Sequence, residues 1–504
     1  MKEKMFFRMV LIAGAATMLA ACTSESENGP SANISYESIA ATQQVPVTFG
    51  TYIGETPTTR SGATGMISDF DTNRDGTRDI TAAHVLRNKD GFGVFAYYTY
   101  MKASSPDASK GETANGLYGS TLPNFMYNQH VVGTDVDAPV WSYTPLKYWP
   151  NDYASGDVDT NPTDATGSKV SAVSFFAYAP YVPVTAATGV PTSGDTSVGI
   201  TALTDNDDQS DPKVSYTIAT TPDKSVDLLW GVAGDTDYDN TAGTTNPRTA
   251  GFPLKNQTKQ ELDGMINFKF DHALSRLGLT VQAAKDQTGA GSVNSEELWD
   301  ATAANKTRIY INRVTVSTTM YTSAVLNLNN TSADVALWEF SGAAAATTLT
   351  VEDVTTPSVI KNLNPDLVMD TSKSLDDGAQ KPGVRAITST STSAPVPTPV
   401  MQYNGEDVYF MLIPQNLSSA GGGTNENITI VIDYDVKTLD ANLAGGMSSV
   451  NNRITKVIGG INFESGKAYT LNLVLGMNSV DITATVADWG AGTNHTVDLP
   501  INVN

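Results

Sequence analysis

The sequence predicts an all-β protein built from two β-sandwich domains in tandem. Three observations carry that reading. Only 17% of residues are charged, while Thr, Ser, Asn, Gly, Val, Tyr and Phe are plentiful, a mix that suits strands and turns. Short apolar stretches with period-two alternation recur along the chain. A polar segment with Gly and Pro at 236–259 divides the 504 residues into halves of ordinary domain size. The net charge of −22 argues against general nucleic-acid binding, which needs a basic footprint, and suits a soluble surface protein.

Residues 1–22 read as a targeting segment. Lys2, Lys4 and Arg8 precede an apolar run at 9–21 that is too short for an ordinary membrane span of ~20 residues. Leu19-Ala20-Ala21-Cys22 resembles the lipobox of bacterial lipoproteins, which makes the Cys22 thiol the expected lipid attachment point. Cys22 is the only cysteine, so it has no internal disulfide partner. The acidic run at 23–27 resembles a surface-export signal and reads equally as a solvated tether.

Residues 45–62, VPVTFGTYIGETPTTRSG, organise the rest. Val45, Val47, Phe49, Thr51 and Ile53 alternate with their neighbours, as in a strand with one buried face. Pro46 lacks an N–H, which suits a sheet edge. The polar segment that follows carries a lone Arg60 before Ser61, an accessible point for an arginine-specific protease. A removable edge strand would leave an open apolar groove able to recruit a strand from another chain. The alternative is an ordinary first strand followed by a loop that contains arginine.

Asp71, Asn73, Asp75, Thr77 and Asp79 offer oxygen ligands at every second position around Gly76. The twelfth place holds Ala82 instead of a bidentate acid, so the stretch reads as a short Ca2+ loop or as an acidic turn. Strands are then expected at 92–100, 124–132, 140–150, 173–181, 212–219 and 225–233, with a polar insert at 151–169. Trp141, Tyr143, Tyr148 and Trp149 suit a core better than a sugar-stacking surface.

In the second half, Ile266, Phe268 and Phe270 alternate, residues 273–277 suit a turn of helix, and Leu277, Leu279 and Val281 alternate again. His272 beside Asp271 reads as a hydrogen-bonded core histidine, since no nucleophile stands in a recognisable relation to it. Further strands are expected at 308–317, 323–328, 407–413, 427–436, 468–475 and 480–489, with a glycine-rich hairpin loop at 420–425 and a long surface excursion at 355–400. In the tail at 495–504, Val497, Leu499, Ile501 and Val503 alternate without a break. They form either the protein's own last strand or a strand laid into a neighbour's groove.

The succession VTFG, TTRSG, FGVFAYY, VWSYTPLKYWP, VSFFAYAPY and DLLWG resembles the fimbrillin family of type V pilins. The later F-x-H-A-L-S-R-L, VYFMLIPQ, FESGKAYTLNLVL and VDITATVADW agree with it. The resemblance implies transthyretin-like topology and a division into signal peptide 1–22, propeptide 23–60, amino-terminal domain 61–260 and carboxy-terminal domain 261–504. It also implies an outer-membrane lipoprotein precursor, cut after Arg60 by an arginine-specific protease, whose first strand leaves and is replaced by another pilin's carboxy-terminal strand. The expected partners are other fimbrial subunits and a host or bacterial surface ligand. The alternative is a permanently anchored surface lipoprotein that binds glycans or host ligands. No cofactor other than Ca2+ is expected. The chain lacks H-E-x-x-H, G-x-S-x-G and P-loop motifs, which argues against an enzyme.

Overall fold

The computed structural model describes residues 45–53, 91–102, 104–119, 121–133, 141–150, 171–192, 199–234, 249–257, 265–283, 307–352, 362–384, 397–403, 406–476, 480–488 and 497–498. Its regular structure is strand apart from a few single turns of 3-10 helix, and four larger sheets carry most of it. The fold is all-β. Buried residues of both halves of the chain form one apolar cluster.

A nine-stranded sheet runs in the order Thr48–Ile53, Met265–His272, Leu229–Ala233, Ser171–Ala179, Phe92–Met101, Met126–Gly133, Trp141–Ser142, with two short strands beside this path. Phe92–Met101 and Ser171–Ala179 are near-continuous apolar runs, because both of their faces are covered: six of the ten residues of Phe92–Met101 are buried in succession. A four-stranded sheet has the order Leu337–Glu339, Ser323–Asn327, Lys213–Thr217, Ile200–Leu203. The hairpin from the second half of the chain thus pairs with a strand of the first half, Val214 opposite Leu326 and Tyr216 opposite Ala324. Met265–His272 likewise pairs with Leu229–Ala233 of the first half, so hydrogen-bonded sheets cross residue 261.

The six-stranded sheet is centred on Ser275–Ala283, Lys467–Leu475 and Val480–Asp488. The remaining four-stranded sheet runs Ala345–Glu352, Thr307–Met320, Ile428–Leu439, Met447–Ile458. Pairing is predominantly antiparallel. Parallel pairs join Thr48–Ile53 to Met265–His272 and Ser275–Ala283 to Lys467–Leu475.

Two expectations are corrected. Residues 273–277 form no helical turn. The Ala273 N–H donates to the Leu228 carbonyl, the Ala273 carbonyl accepts from Trp338 Nε1, and the Leu274 carbonyl accepts from the Gly466 N–H. Backbone groups engaged by distant segments are not available for a local helix, and the chain passes from one sheet to another at this bend. The stretch at 355–400 is also more than a surface excursion. Leu363, Leu367, Leu375, Val384 and Val400 are buried, and Arg308 donates to the Lys381 carbonyl at 2.8 Å.

Candidate functional site

The first strand is held on both sides. Residues Thr48–Ile53 run parallel to Met265–His272, with Phe49 opposite Ile266 and Thr51 opposite Phe268. Just upstream, Pro46 pairs antiparallel with Tyr148. The flanking residues make the bonds of that bridge: the Val47 N–H donates to the Lys147 carbonyl and the Trp149 N–H to the Val45 carbonyl, both at 2.9 Å. Pro46 stands between them, where no N–H is needed on that side. Thr48–Ile53 therefore stands at the edge of the nine-stranded sheet, as Pro46 implied, while residues 45–47 just upstream bond on the other side to the segment 147–149.

Its inner face is set by alternation. Val47 is fully buried, Phe49 is 5% exposed and Thr51 is buried, while Thr48 is exposed. Phe49 sits in a box of four aromatic rings. Phe268 lies parallel at 6.2 Å, and Tyr143, Phe92 and Phe175 present edge contacts at 5.3, 5.9 and 6.5 Å. Such geometries stabilise the strand beyond what burial of the ring's area gives. Tyr143 also clamps the backbone: its hydroxyl donates to the Val47 carbonyl at 2.9 Å and accepts from the Lys147 N–H at 3.2 Å. Burial raises the Tyr143 hydroxyl above its ordinary pKa, which keeps the donor protonated.

The expected core reading of the aromatic cluster holds for most of it. Trp149 is buried, Trp141 and Tyr143 pack half-buried against the core, and Tyr148 is exposed. His272 is hydrogen-bonded as expected. Its partner is Asp227, fully buried and 2.7 Å away, a residue the sequence did not single out although it stands in the DLLWG motif. Desolvation raises the Asp227 carboxyl above its ordinary pKa, and His272 opposes the rise.

Of the other site residues, Val45 is half-buried and Ile53 pairs with Phe270. In the tail, Val497 pairs with Val486 and Asp498 with Thr485 of the chain's own sheet. Cys22, Arg60, Ser61, Asp71, Asn73, Asp75, Thr77, Asp79, Leu499, Ile501 and Val503 lie outside the described residues. Among the described residues, no group of three or more His, Cys, Asp or Glu side chains could hold a metal ion.

The sequence profile of the fimbrillin-like family matches residues 167–489. The fimbrium subunit Fim1C of Phocaeicola vulgatus is 26% identical over 431 residues, covering 84% of this chain and 87% of that protein. The crystal structure of a fimbrial protein from Bacteroides vulgatus superposes with a TM-score of 0.50 at 20% identity, covering 89% of this chain and all of the other. This similarity in structure concerns the fold alone. The profile spans more than half of the chain, and the chain belongs to the fimbrillin-like family.

Proposed function

We propose that this chain is a subunit of a cell-surface fimbria and that its first strand is a removable plug. The observation that carries the reading is the double attachment of residues 45–53, with Phe49 inserted among four rings. Taking this strand out uncovers the apolar walls it shields and frees backbone groups on two sides. Each large apolar side chain so exposed costs roughly 1.5–3 kcal/mol, which another chain's strand would recover.

The sequence supplies the way to remove it. Arg60 lies between Ile53 and the next described strand at Phe92. A cut after Arg60 would free the plug and the lipid on Cys22 together, and would break no described strand. Until then the lipid would hold the precursor at the outer membrane with its groove filled. The aromatic residues of 141–149 are mainly spent inside the protein, which weighs against the glycan-binding alternative.

The test uses the full chain with Cys22 replaced. An arginine-specific protease should give a new amino terminus at Ser61 and release residues 45–53, and Arg60→Ala should prevent both. Resistance at Arg60, or equal strand loss from the Arg60→Ala protein, would sink the reading.

A further inference from the structure

We propose that the groove under the first strand is built for a strand of a different chain, one with a large aromatic residue at the Phe49 place, and not for the tail of a second copy. This rests on the strand-exchange reading above and identifies the partner.

The shape of the site selects an aromatic residue. The Phe49 ring fills a site bounded by Tyr143, Phe92, Phe175 and Phe268, and is almost wholly buried. The chain's own tail alternates Val497, Leu499, Ile501 and Val503, with no aromatic residue. Any of these in the Phe49 place leaves part of the box empty, and unfilled core volume weakens packing.

The hydrogen-bond ladder also selects against the tail. In a strand, the backbone groups of successive residues point to opposite sides. The Val45 carbonyl and the Val47 N–H point to residues 147–149. The backbone groups of Thr48, Gly50 and Tyr52 therefore point to Met265–His272. These are the positions between the inward-facing Val47, Phe49 and Thr51. In the tail, the residue between the apolar ones is Pro500. With the tail running in the plug's direction, seating Val497, Leu499 or Ile501 in the Phe49 place puts Pro500 at 52, 50 or 48, where its missing N–H faces Met265–His272. Seating Val503 there puts Pro500 at the Pro46 place without that conflict, but leaves a valine in the aromatic box and brings Asn504 to the Gly50 place. The native strand avoids this conflict, because Pro46 precedes the pairing that begins at Thr48.

At the Gly50 place the conflict is also steric. A Cβ there would run into Asn267 Oδ1, so anything larger than glycine must push that exposed side chain aside. Finally, the tail is already engaged: Val497 and Asp498 pair within the chain's own sheet. The partner strand should therefore read apolar, any, aromatic, small with an N–H, then Thr-sized.

The experiment adds labelled peptides to the full chain cut after Arg60. The native plug VPVTFGTYI should bind. Its Phe49→Leu form should bind at least about tenfold more weakly, and the tail peptide HTVDLPINVN about a hundredfold more weakly. A tail peptide carrying Leu499→Phe and Pro500→Gly should recover to within about tenfold of the plug. The cut protein alone should form no ladder of multimers on a gel. Tail binding within about threefold of the plug, or a ladder from the pure cut protein, would overturn the proposal and leave strand exchange standing. If no peptide enters, the strand-exchange reading fails and takes the proposal with it.

Discussion

His272 Nδ1 lies 2.7 Å from Oδ2 of Asp227, and no part of the Asp227 side chain reaches solvent. The pair sits where the chain leaves the nine-stranded sheet, since His272 ends one strand and Ser275 begins the next in another sheet. Arg276 continues the motif and stacks over the Tyr409 ring at 4.1 Å. The motif F-x-H-A-L-S-R-L thus serves as a joint between sheets. Removing His272 strands a carboxylate in the interior. His272→Ala should lower stability by about 3–5 kcal/mol, read from urea unfolding, and Asp227→Asn should cost clearly less.

Asp271, next to this pair, faces outward from the core to Lys269 at 3.2 Å, and Lys269 also reaches Asp334 at 2.8 Å. Burial raises the Asp271 pKa to about 6; Lys269 opposes the rise and Asp334 adds to it. The folded state therefore holds this proton more tightly than the unfolded chain. The contribution is fully present below about pH 4 and is lost as pH rises through about 6. Asp271→Asn should remove that slope and gain on the order of 1–3 kcal/mol at pH 7, measured as the difference in stability between variant and wild type from pH 4 to 7.

Phe49→Ala should destabilise the uncut precursor by about 3–5 kcal/mol, the usual cost of deleting a buried ring. After cutting and removal of the plug, wild type and variant are the same molecule and must have identical stability. A difference that survives plug removal would mean that the two preparations differ elsewhere.

Tyr143→Phe keeps the ring against Phe49 and loses only the hydroxyl that binds the Val47 carbonyl. The expected loss is about 0.5–1.5 kcal/mol. Amide exchange at residues 45–53 should accelerate while the strands of the six-stranded sheet stay unchanged. Uniform acceleration would instead mark a global loss of stability.

A fragment ending at residue 283 should not fold cooperatively. It would lack Ser323–Asn327, the neighbour of Lys213–Thr217, and Trp338, whose ring meets Tyr216 at 6.5 Å and whose Nε1 holds the Ala273 carbonyl at 2.9 Å. Thermal unfolding followed by circular dichroism would show this, with the full chain as the control. A sharp transition in the fragment would establish that the first half needs nothing from the second.

Local alternation determined much of the molecule from sequence alone. Val47, Phe49 and Thr51 face inward as their spacing predicted, and so do Ile266, Phe268 and Phe270, because side-chain direction in a strand depends only on parity along the chain. The hydrogen-bonded role of His272 was also legible, because no nucleophile stands in a recognisable relation to it. Strand Met447–Ile458 was not read from the sequence. It is an outer strand with five of its twelve residues exposed and one buried, and it is held by its backbone ladder to Ile428–Leu439 more than by an apolar pattern.

Only the tertiary structure decided which segments meet. The first strand touches residues 147–149 and 265–270, about one hundred and two hundred positions away, and nothing in a local period specifies partners at that distance. The same holds for the hairpin that the second half lends to the first, for Asp227 beneath His272, and for the bend at 273–274, where distant backbone groups replace a helical turn. Periodicity states which face of an element is buried. The partner is chosen by shape and by hydrogen-bond direction, as the ring box around Phe49 and the ladder beside Gly50 show.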